Sequence, residues 1–144
     1  MSLTRTRLTK KAGMVAESLR SAIEPCRVVL PIPPTLNHLR MPARGRLIVS
    51  PEYRDWMAEA GVVLIQQRPK KMLGRVGISI EVACADKRRR DLDNTANFKA
   101  VLDLLVKHGI IEGDDNRYVR ALHAHWDDIG ITKRLVVTIK PAVF

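Results

Sequence analysis

The chain is poor in cysteine, in aromatic rings and in acid. Its two cysteines, Cys26 and Cys84, stand far apart and match no metal-ligand or redox spacing. This excludes a secreted disulfide scaffold and leaves two thiols expected to be buried in a reducing compartment. No stretch approaches the roughly 20 apolar residues that a bilayer span needs. The N-terminus also lacks the basic, apolar, small-residue order of a secretory signal, so a soluble, cytoplasmic protein without a membrane partner is expected. With two Trp, two Tyr and two Phe, Tyr118 and Trp126 are expected in a core or interface before any base-stacking role. Acids are outnumbered, 15 Asp and Glu against 25 Lys and Arg, for a net charge of +10. Such a surplus attracts a polyanion through counterion release, and nucleic acid is the first candidate. What the chain does have is apolar content, 46% of 144 residues, enough for one domain that folds without staples.

Residues 1 to 24 carry Arg5, Arg7, Lys10, Lys11 and Arg20 with weak apolar periodicity. They read as a basic arm with a short helix near 11 to 23, ahead of a domain over 25 to 144. Arg27-Val28-Val29-Leu30 reads as a strand that stops at Pro31, and the prolines at 31, 33 and 34 enforce an extended exit. Asn37 to Ile48, with Arg40, Arg44, Gly45 and Arg46, reads as an exposed basic loop or hairpin, with Arg44 and Arg46 suited to phosphate. Ser50-Pro51-Glu52 predicts a helix start, cap then proline then acid, for a helix running to about Gln67. Val76, Ile78, Ile80, Val82 and Cys84 alternate with small or polar residues, the period of a strand with one buried face. Phe98, Val101, Leu102 and Leu105 recur at helical spacing up to a Gly109 stop. Tyr118 to Trp126 and Ile131 to Ile139 read as two strands joined by a turn at 127 to 130. The expected class is α/β (α+β): a single small domain with a mixed sheet packed with helices.

The chemistry concentrates after the second of these strands, where Lys87-Arg88-Arg89-Arg90 abuts Asp91-Leu92-Asp93. Two carboxylates two residues apart share a face if the chain stays extended. Oxygen donors alone select a hard cation such as Mg2+, which takes one or two carboxylates and keeps several waters. A third acid, from the Asp114-Asp115 turn, would complete a nuclease site, and a hairpin-like return of the next strand would bring it close. The plainer alternative is that Asp91-Leu92-Asp93-Asn94 is only a turn with a helix cap. An EF-hand loop counted from Asp91 fails, with Ala96 at the glycine position and no glutamate at the twelfth.

The run Arg88-Arg89-Arg90-Asp91-Leu92-Asp93-Asn94, the segment Lys99-Ala100-Val101-Leu102-Asp103 and the turn Gly109 to Asp115 resemble the RusA family of Holliday junction resolvases. Leu30 to Asn37 resembles that family's opening strand and proline-rich exit. Val49-Ser50 to Arg54 resembles the approach to its first helix, so the likeness extends over about residues 27 to 140. The resemblance implies a homodimeric α/β fold, Mg2+-dependent hydrolysis and paired symmetric nicks across branched, four-way DNA. It also implies that Asp91, Asp93 and Asp115, or Asp114 in its place, hold the metal. The family's catalytic lysine stands one helical turn after the acidic run. Here that position is Asn97, and Lys99 follows two residues later, as a two-residue insertion would leave it. Lys99 is therefore the candidate catalytic lysine, against a surface pair with Asp103 at i, i+4. Lys87, Arg88, Arg89 and Arg90 would hold phosphates with Arg44 and Arg46. The other reading is a protein that binds branched DNA without cutting it.

Overall fold

The computed structural model describes residues 10–16, 23–84, 89–127 and 132–142. Residues 10–16 are helical, and part of the helix expected near 11 to 23 lies outside the described residues. The domain then runs β1 (Cys26–Leu30), a 3-10 turn (Leu36–His38), β2 (Arg40–Ala43), β3 (Arg46–Val49), α1 (Pro51–Gln66), β4 (Val76–Ala83), α2 (Leu92–Ala96), α3 (Phe98–Lys107), β5 (Val119–Trp126) and β6 (Arg134–Pro141). It is a single α+β domain with a mixed four-stranded sheet of order β1-β6-β4-β5 and a separate β2-β3 ribbon. No helix among the described residues is long and apolar enough to cross a membrane.

Alternation along β4 buries Val76, Ile78, Ile80 and Val82 on one face, and α1 and α3 contribute Trp56, Ala60, Leu64, Val101, Leu104 and Leu105 to the same core. The start of α1 follows the residues that encode it: Ser50 is extended and its hydroxyl accepts from Tyr53 N at 3.1 Å, with Pro51 opening the first turn. Cys26 lies in the core, where burial pushes its thiol up and keeps it unreactive.

Two expectations are corrected. β5 and β6, adjacent in sequence, do not pair, because β6 inserts between β1 and β4, antiparallel to both. β6 spans Arg134–Pro141, and 128–131, which include the expected strand start at Ile131, lie outside the described residues. Further, β5 returns parallel to β4, with Val76 opposite Val119 and Val82 opposite Trp126, rather than as a hairpin. A parallel return needs a crossover, and α2 and α3 supply it.

The two outer edges of the sheet differ. On β1, Gln67 at the end of α1 occupies the outward groups of Val29, accepting from its N–H and donating to its carbonyl, each at 2.7 Å. β5 has no such cover among the described residues, carries neither proline nor lysine, and exposes Leu122 and Trp126.

Candidate active site on the β4-β5 crossover

A crossover between parallel strands leaves from the carboxyl end of one and re-enters at the amino end of the next. The predicted acids lie on its two opposite limbs. Asp91 and Asp93 are on the outgoing limb, where Asp91 is the extended cap residue of α2 and Asp93 lies in its first turn. The extended conformation that would have aligned them by strand period therefore ends at Asp91. Both residues instead flank the opening of α2, Asp91 as its cap and Asp93 in its first turn, and both are exposed. Asp93 accepts from Asn94 N at 2.8 Å, whereas the Asp91 side chain makes no capping bond. Arg89, just upstream, is exposed and Arg90 is half-buried; Lys87 and Arg88 lie outside the described residues.

Asp114 and Asp115 lie on the returning limb. The Asp115 carbonyl accepts from Val119 N at 2.9 Å, fixing the turn to the first residue of β5, and Tyr118 O accepts from Val76 N at the start of β4. From Val76 to Ala83 the strand spans about 20 Å. Among the described residues of this one chain, no three His, Cys, Asp or Glu side chains are grouped to hold a metal. The expected approach of Asp115 to Asp91 and Asp93 assumed a hairpin return, whereas β5 returns parallel to β4.

The Asp115 carboxylate is held by Arg117, which donates from Nε at 3.0 Å, from a terminal nitrogen at 2.8 Å and from its backbone N–H at 2.9 Å. These charge-assisted bonds lower its pKa from 3.8 to about 2. Arg117 also lies over the Tyr118 ring, 5.3 Å from its centre. Gly113 leaves room for that ring: a Cβ there would stand 2.7 Å from Tyr118 Cδ2.

Asn97 separates α2 from α3. Its φ of 44° is left-handed, a conformation asparagine tolerates better than most residues, so α2 stops and α3 starts anew. Its buried side chain accepts from Ala100 N at 3.2 Å and donates to the Pro34 carbonyl. Asn94 accepts from Leu36 N at 2.9 Å. The two asparagines thus bind the proline-rich exit of β1 to the acidic turn. Sequence reasoning assigned neither this task, although asparagine at a helix boundary was the available signal.

Lys99 donates to Asp103 Oδ1 at 3.0 Å, and Tyr53 donates to the other oxygen at 2.8 Å. Burial and this bond push the Tyr53 phenol well above its usual range. The i, i+4 pair weighed for Lys99 is present; the pair is partly exposed and contributes little by itself. Arg44 and Arg46 are exposed on the β2-β3 ribbon. His123 and His125 share a face of β5 with ring centres 5.5 Å apart, and His125 lies 3.8 Å from Glu81.

No curated protein matches the chain. A protein-family comparison matches the family described as endodeoxyribonuclease RusA over residues 31–140. That match runs from the proline-rich exit through both limbs of the crossover into β6, and the chain belongs to the RusA family of endodeoxyribonucleases.

Proposed function

We propose that this endodeoxyribonuclease resolves four-way DNA junctions as a Mg2+-dependent homodimer making paired symmetric nicks. The observation that carries the reading is the exposed pair Asp91 and Asp93 at the opening turn of the crossover, with Arg89 and Arg90 directly upstream. Two carboxylates with open solvent around them suit a hard ion that keeps several waters. Mg2+ held there would lower the pKa of an attacking water and offset charge on the phosphoryl oxygens. Lys87, Arg88, Arg89 and Arg90 contribute phosphate contacts that orient the backbone without reading sequence. Lys99, released from Asp103 by a competing phosphate, would donate to a phosphoryl oxygen. Tyr53 meanwhile keeps Asp103 hydrogen-bonded.

The third carboxylate motivates the dimer. β5 is the uncovered edge, and antiparallel pairing of two β5 strands about a two-fold axis sets the amino end of one beside the carboxyl end of the other. One protomer's Asp115 then approaches the Asp91 and Asp93 of its partner. The exposed Leu122 and Trp126 supply apolar area for that contact. Two such sites related by symmetry match the two strands that a junction presents for cutting.

The test is a labelled four-way junction incubated with the protein and Mg2+, with nicks expected at symmetric positions on two opposing strands. Asp91→Asn is expected to bind the junction and not cut it; cutting at the wild-type rate removes Asp91 from the reaction. The engagement of Lys99 by Asp103 and of Asp115 by Arg117 favours a second reading, binding of branched DNA without cleavage. Bound but uncut wild-type complexes would establish it.

A further inference from the structure

The β2-β3 ribbon is a separate two-stranded sheet whose apolar side chains go largely uncovered. Its turn is set by Arg44 (φ 50°) and Gly45 (φ 75°), both left-handed as the tight primed hairpin turns require. The register pairs Pro42 with Leu47 and Arg40 with Val49 on one face, and Ala43 with Arg46 and Met41 with Ile48 on the other. Each face therefore combines apolar side chains with an arginine. Every residue of β3 is exposed, Leu47 most among its hydrophobic residues at 68%.

The root, by contrast, is fixed. Ser50 N donates to the Leu39 carbonyl at 2.9 Å, the Ser50 hydroxyl donates to the His38 carbonyl, and Leu39 and Ser50 are both buried. A stiffly anchored arm about 13 Å long that leaves Met41, Leu47, Ile48 and Val49 exposed is organised for a surface that it does not meet among the described residues.

Charge selects the occupant. From Arg40 to Val49 the arm carries three arginines and no acid, on a chain of net charge +10. A second copy of this chain would meet it with like charge, whereas DNA meets it with phosphate. We propose that the ribbon is a wedge: Leu47, with Pro42 across from it, inserts against the exposed base pair at a DNA branch point, while Arg44 and Arg46 hold the flanking phosphates. Apolar side chains that enter a base stack spend unstacking energy, and that cost is smallest where bases are already unpaired. The arm thereby favours a branch over continuous duplex. The proposal rests on the reading of the chain as a junction-processing nuclease, and it adds the element that senses the branch.

The experiment places 2-aminopurine at the branch of a four-way junction and reads its fluorescence on binding in EDTA, where cleavage plays no part. Wild type is expected to raise the signal. Leu47→Ala is expected to abolish most of the rise while junction affinity stays within about tenfold, because phosphate contacts carry most of it. Leu47→Met should restore the rise, and Arg44→Ala or Arg46→Ala should each reduce the salt slope of binding by about one. A rise in Leu47→Ala equal to wild type overturns the wedge. So does a Leu47→Asp chain whose oligomeric state differs from wild type by light scattering, which makes the arm a subunit contact. A wild type that cuts without raising fluorescence also overturns the wedge and leaves the nuclease reading standing. A Leu47-dependent rise in a protein that never cuts supports the wedge and removes the nuclease reading.

Discussion

If the two limbs of the crossover meet only across a dimer, two inactive variants should rescue each other. Asp115 is fixed to the start of β5 and Asp91 lies beyond the end of β4. The strand between those ends spans about 20 Å, whereas ligands of one Mg2+ lie about 2 Å from it. A site uniting them within one chain would require the crossover to refold; one formed between antiparallel β5 edges would not. Asp91→Asn and Asp115→Asn should each abolish cutting as homodimers. In the mixed dimer, one site combines both lesions and the other combines an intact Asp91 with an intact Asp115. Random exchange at equal concentration makes about half of the dimers mixed, each with one of two sites restored, so nicking should recover to about one quarter of the wild-type sites. The product should be single nicks in place of paired ones. The assay is denaturing electrophoresis of a junction labelled on two strands, after exchange of differently tagged chains and isolation of the mixed species. An isolated mixed dimer with no activity, together with active Asp115→Asn homodimers, would refute the reasoning.

Other expectations follow from individual contacts. Asn97→Ala removes the cap of α3, leaves the Pro34 carbonyl without its donor and forces alanine to φ 44°; a loss of about 2–3 kcal/mol in urea unfolding is expected. Asn97→Gly should lose less, since glycine accepts that backbone, and equal losses would remove the conformational part of the account. Tyr53→Phe deletes the 2.8 Å bond to Asp103 and should lower stability by about 1–2 kcal/mol, with unchanged denaturation midpoints counting against that bond. The folded pKa of Asp115, about 2, lies below its ordinary 3.8. The stability from its contact with Arg117 is therefore present above that ordinary value and lost as pH falls toward 2. Carboxyl NMR titration should find Asp115 ionised at pH 3 in wild type and largely protonated there in Arg117→Ala; an unaltered titration would show that Arg117 is not the cause.

Local rules were enough for much of this molecule. The stop of β1 at Pro31, the Ser50 cap with Pro51 behind it, the alternation from Val76 and the basic hairpin were legible because propensity, capping and period two act over a few residues. The run around Asp91 and Asp93 was legible as a resemblance. What the chain could not reveal locally was long-range pairing. Periodicity marks β4 and β5 as strands but does not say whether they run parallel, and that choice sets the start of β5, where Asp115 turns the chain, beside the amino end of β4 while its carboxyl end leads on toward Asp91. The break at Asn97 depends on the Pro34 carbonyl, 63 residues away. That β5 is the edge left without cover among the described residues follows from the strand order and from Gln67 reaching Val29 on the opposite edge. Burial and hydrogen bonding between distant segments decide such matters, and neither is a property of any single stretch of sequence.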